Sequence, residues 1–123
     1  MSESTTFKLF EADTISEKIE RKVYAVATSL LKATELVEKN LPSNYIFIAI
    51  RTLETSHVLV PKERSETYKL FEAEIKGEYA GHKAVIVAET ASIAIALLEE
   101  WAGQGYTISK FRDIGAWEVY VTE

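Results

Sequence analysis

The segment Thr6-Phe7-Lys8-Leu9-Phe10-Glu11-Ala12-Asp13 returns as Thr67-Tyr68-Lys69-Leu70-Phe71-Glu72-Ala73-Glu74, an offset of 61 positions. The same offset carries Lys22–Ala27 (KVYAVA) onto Lys83–Ala88 (KAVIVA), and Ala33, Leu36 and Glu38 onto Ala94, Leu97 and Glu99. It also maps Tyr45 to Tyr106, Arg51 to Arg112, and Val58 and Val60 to Val119 and Val121. A constant spacing across five segments makes the chain read as a tandem duplication. The units are residues 6–66 and 67–123, with residues 1–5 as a disordered tail.

Each unit reads as β-β-α-β-β, giving an α+β fold. Thr6–Asp13 alternates and is rich in β-forming residues. The polar stretch Thr14–Arg21 is the expected hairpin connection, and its counterpart carries Gly77 and Gly81, which suit a turn. Lys22–Ala27 is the second strand. A helix follows, capped by Thr28 or Ser29 and running to about Asn40; in the second unit Glu89 or Thr90 caps a helix through Trp101, stopped by Gly103 and Gly105. Tyr45–Leu53 with His57–Val60, and Tyr106–Ile114 with Trp117–Val121, read as second hairpins.

A unit of this size alone lies near the lower limit of independent stability. The second helix, with Ala91, Ile93, Ala94, Ile95, Ala96, Leu97, Leu98 and Trp101, is apolar nearly all round, which predicts burial on more than one side. The expectation is therefore antiparallel sheets with one helix packed per unit, the units related by a pseudo-twofold axis, or a homodimer covering the apolar faces.

Composition narrows the function. With 47% hydrophobic and 27% charged residues the chain is an ordinary globular one. No apolar run approaches a membrane span, and no signal peptide is visible; a cytoplasmic location is expected, the host's if the origin is viral. The absence of cysteine removes disulfides, thiolate nucleophiles and cysteine-held metals. His57 and His82 have no ligand partner at helical spacing, so they read as two separate solvated histidines. There is no nucleophile elbow and no glycine-rich phosphate loop. No catalytic residue, metal site or cofactor is assigned, and the chain reads as non-enzymatic.

The polar positions retained in both copies are the candidates for binding: Arg51 and Arg112, Lys8 and Lys69, and Tyr45 and Tyr106. Two arginines at equivalent places could serve an anionic ligand. Glu11 and Lys22, on facing strands, could equally form a cross-strand ion pair. Lys8 with Phe10, and Lys69 with Phe71, have the arrangement of a base-stacking strand. The net charge of −5 and the lack of an RNP-type motif disfavour nucleic acid.

The T-x-K-L-F-E-A strand, then K-x-x-x-V-A before a helix with an A-x-x-L pattern, resembles the small DpnD/PcfM-like hairpin–helix accessory proteins of phages and mobile elements. The likeness covers roughly 35 residues of each copy, implies a viral or mobile-element origin, and carries over no catalytic residue. Two functions fit the whole reading. The first is an accessory or adaptor module that binds an unidentified protein partner. The second is a small-molecule sensor with an anionic-ligand site between the repeats.

Overall fold

The structure, a computed structural model, describes residues 7–54, 57–62, 67–77, 81–103 and 105–122. The expected tail, residues 1–5, lies outside the described residues. The elements are β1 (Lys8–Ser16), β2 (Ile19–Ala27), α1 (Leu30–Asn40), β3 (Ile46–Leu53), β4 (His57–Leu59), β5 (Lys69–Lys76), β6 (Gly81–Ala88), α2 (Ala91–Ala102), β7 (Thr107–Asp113) and β8 (Glu118–Val121). The fold is α+β: two helices and two mostly antiparallel four-stranded sheets, ordered β3-β1-β2-β8 and β4-β6-β5-β7.

That order corrects the second hairpins. β4 does not fold back on β3, nor β8 on β7. Instead β8 runs parallel to β2, with Val23 opposite Glu118 and Val26 opposite Val121, and β4 runs parallel to β6, with His57 opposite Ala84 and Leu59 opposite Ile86. Each sheet thus takes its fourth strand from the other half of the sequence. The compact units are Met1–Glu54 with Ala116–Glu123, and Thr55–Gly115, which differ from the contiguous halves 6–66 and 67–123 by this exchange. Period-two alternation marks a strand but does not say which neighbour it pairs with. The local chemistry favours departure: Gly115 adopts φ 79° and donates its N–H to the Asp113 carboxylate at 2.8 Å, which turns the chain away from β7.

The first hairpin is tighter than its polar sequence suggested. β1 and β2 pair from Lys8↔Ala27 to Ser16↔Ile19, leaving only Glu17 and Lys18 as the turn. Glu17 has φ 55°, the left-handed conformation that two-residue hairpins require and that a side chain disfavours. Thr14 can lie in the strand because its hydroxyl, fully buried, donates to the Arg21 carbonyl at 2.9 Å.

The helix signals hold. Ser29 and Thr90 are the N-caps, their hydroxyls accepting from Lys32 N and Ile93 N, and Gly103 (φ 71°) ends α2. In unit 1, α1 places Ala33 and Val37 on Phe10, Ala12, Val23, Ala25 and Ala27. In unit 2, α2 places Ala94 and Leu98 on Phe71, Ala73, Ile75, Ala84, Ile86 and Ala88. The alanines let each helix approach its sheet closely. On the opposite strand faces Leu9, Val26, Leu70 and Val87 are buried as well. The expected all-round burial of α2 is not found: Ala94 and Leu98 are buried, while Ile93, Ala96 and Trp101 are exposed.

Val119 is 6% exposed and lies beside Tyr24 on β2. Val119→Ala should cost about 2 kcal/mol. Hydrogen exchange should show the loss in β2 rather than in β7, the chain neighbour of β8; loss of protection in β7 would restore the hairpin.

Candidate functional site

The first site follows from the register of β1 with its two neighbours. Glu11 and Asp13 alternate onto the sheet face away from α1, opposite Tyr24 and Lys22 on β2 and opposite Arg51 and Ala49 on β3. Arg51 donates Nη1 and Nη2 to the two Asp13 oxygens at 3.0 and 2.9 Å, and Nε to Glu11 Oε1 at 2.8 Å. Tyr24 donates its hydroxyl to Glu11 Oε2 at 2.9 Å, and Lys22 Nζ stands 3.4 Å from Glu11 Oε1. Two acids and two bases make the cluster neutral.

The charges act on one another as that geometry requires. Burial pushes the Glu11 carboxyl up, but hydrogen bonds from Tyr24 and Arg51 and the charges of Lys22 and Arg51 outweigh it and hold Glu11 below the usual glutamate value. The hydrogen bond from Arg51 lowers Asp13, with the charges of Arg51 and Lys22 acting the same way against a smaller effect of burial. Burial, then the bond to Glu11, pushes the Tyr24 phenol up to about 12. Unit 2 has a thinner version. Arg112 donates Nε to Glu72 at 3.0 Å, and Lys83 and Lys110 stand 3.9 and 3.7 Å from Glu74; Val85 takes the place of Tyr24.

The other sequence candidates are scattered. Lys8 and Lys69 stand exposed at the first residues of β1 and β5. Phe10 and Phe71 are core residues beneath the helix of their own unit, 1% and 2% exposed, and offer no stacking platform to a base. Tyr45 packs against Trp117 with ring centroids 4.9 Å apart, and the Arg21 guanidinium lies 5.2 Å from the centre of that indole.

Tyr106 belongs to a different setting. Unit 2 holds a pocket of about 360 Å³ lined by His57, Ile75, His82, Trp101, Ala102 and Tyr106. The two histidines, expected to be separate and solvated, are half-buried with ring centroids 5.8 Å apart. They meet because β4 pairs with β6, which a hairpin reading of β4 hides. His57 also packs on Trp101 at 4.5 Å, and His82 lies 6.4 Å from Tyr106. Gly77 was the one legible signal. A Cβ there would stand 2.5 Å from the Tyr106 ring, so the ring takes this place only over a glycine.

Comparison with protein-family models, curated proteins and solved structures finds no match. The geometry alone therefore carries the reading. Among the described residues no group of three His, Asp or Glu is placed to hold a metal ion, and no helix is long and apolar enough to cross a membrane.

A carboxyl whose native pKa is depressed binds its proton more tightly in the unfolded chain. Its contribution is complete above the unfolded value, near ~4, and disappears as pH falls through the native one. Arg51→Met should therefore destabilise the protein at neutral pH and move acid unfolding to higher pH. The gap between variant and wild type should close below the native values of Glu11 and Asp13. An unchanged acid midpoint, followed by circular dichroism, would remove the network's role.

Proposed function

We propose that the protein is a non-enzymatic interaction module that binds an extended segment of another protein along the free edge of β3. The observation that carries this is a contrast between two edges with the same register. β3 opposes β1 with Asp13↔Ala49 and Thr14↔Phe47, so Ile48 is a bulge residue; β7 opposes β5 with Glu74↔Lys110 and Ile75↔Ile108, so Ser109 is the bulge. At matched positions β7 carries Thr107, Ser109 and Lys110, the polar and charged residues that blunt an edge, and β3 carries Ile46, Ile48 and Ala49. Ile46 is 66% exposed and Ile48 52%. Among the described residues no strand lies on the outer edge of β3, and such backbone beside exposed isoleucines is the chemistry of strand addition: main-chain hydrogen bonds supply affinity and apolar side chains supply selectivity.

Within this reading the chain is a tandem duplication whose copies have diverged in use. The matched registers, bulges, caps and helix positions support a common β-β-α-β-β origin, and the split in edge chemistry supports a binding role kept by one copy. The alternative of an anion site on Arg51 and Arg112 draws no support from the geometry. All the nitrogens of Arg51 face Glu11 or Asp13, and Arg112 is engaged with Glu72.

The test is the full chain, gently purified from its host and weighed by native mass spectrometry. Wild type should carry a second protein, and Ile48→Lys, with an unchanged circular dichroism spectrum, should weaken it by roughly tenfold or more. A partner that the variant retains would sink the proposal. So would a bare wild-type chain. A homo-oligomer lost on the same substitution would assign the edge to a second copy of this chain.

A further inference from the structure

Unit 1 contains an indole where unit 2 has its pocket. The two places correspond by strand register. Thr14 opposes Arg21 as Ile75 opposes His82, and Glu118 opposes Val23 as His57 opposes Ala84. Tyr45 precedes β3 as Tyr106 precedes β7. In unit 1 the residue just before the fourth strand is Trp117, and its ring sits against Tyr45 and under Arg21. In the sequence the residue just before β4 is Ser56, which has no ring to offer. The residues matching the two that hold the Trp117 indole, Tyr106 and His82, line the 360 Å³ pocket.

We propose that this pocket of unit 2 binds an indole-sized planar aromatic group against Tyr106 and His82, as unit 1 holds its own Trp117. The volume is within the range of small-molecule sites. Among the described residues four aromatic rings line it, with no Lys, Arg, Asp or Glu, which suits an uncharged ring. Offset and tilted packing of aromatic faces adds to the area buried. The imidazoles and the tyrosine hydroxyl supply donors and acceptors for a ring N–H or an edge oxygen. Gly77 leaves the room that the Tyr106 ring occupies. The group could be a free aromatic compound or the side chain of a bound polypeptide; the ring chemistry is the same. A metal ion is the competing occupant, since two imidazoles share the pocket, but they are only two ligands.

The chain has two histidines and both line the pocket, so both report on it. Full-length protein with ¹³C-labelled histidine is titrated with indole, and separately with N-acetyltryptophanamide, in the presence of EDTA. Saturable shifts of both imidazole signals are expected with at least one probe. Tyr106→Ala, at an exposed residue that should leave the fold intact, should weaken binding about tenfold. Tighter binding of N-acetyltryptophanamide would assign the site to a polypeptide side chain, and tighter binding of indole to a free compound. The proposal is overturned if neither probe shifts the signals, if Tyr106→Ala binds as wild type does, or if only Zn²⁺ added without EDTA moves them.

Discussion

A strand in the middle of a sheet has backbone groups to satisfy on both sides, and among the middle strands of this chain β2 and β6 face the harder task. One side of each is answered locally, by a hairpin with β1 or β5. The other side waits for a strand from a distant part of the sequence. Much of the rest depends on that delivery. Val23, Ala25 and Val26, all fully buried, have β8 as their neighbour on that side, while α1 covers Val23 and Ala25 from above. Tyr120 reaches the core under α1 from β8 and donates to the Asn40 carbonyl at 3.4 Å, tying the strand to the end of the helix. Burial, then the charge of Glu118, pushes that phenol up to about 12. In unit 2, Leu59 makes the matching contribution from β4.

Local physics was legible and non-local pairing was not. Alternation gave the strands, Ser29 and Thr90 gave the caps, and the facing charges of Glu11 and Lys22 gave part of the ion-pair network. These depend on neighbours a few residues away or across a hairpin. What the alternation of residues 57–60 and 118–121 could not say is which strand they join, since one pattern serves a hairpin and a crossing strand equally. The pocket was lost with that choice, because His57 meets His82 only when β4 lies on β6. The apolar run of α2 misled for a related reason. Composition predicts how much of a helix can be buried, and the sheet decides how much is.

Equivalent frameworks make the differences informative. Where both units share a residue type, as with Glu11 and Glu72 or Arg51 and Arg112, the shared geometry is a cross-strand pair within the sheet. Where they part, the divergence falls on surfaces. One edge is isoleucine-lined and the other polar; Trp117 packs on Tyr45 in one unit, and among the described residues of the other Tyr106 lines a pocket. An exposed pair of isoleucines at an edge invites unwanted pairing, and a poorly filled pocket forfeits packing. Features that carry such costs in one unit, where the other unit avoids them, are where binding is most economically sought.

The exchange of fourth strands also orders events during synthesis. Residues 8–53 emerge first and contain β1, β2, α1 and β3, yet their sheet lacks its last strand until residues 118–121 have been made. At ordinary elongation rates that interval is on the order of several seconds. The half of the chain later in the sequence is under no such delay, because β4 precedes β5, β6 and β7. The N-terminal unit therefore begins first and finishes last, with the outer edge of β2 open throughout, and the nascent chain is most exposed to mispairing or to chaperones at that edge.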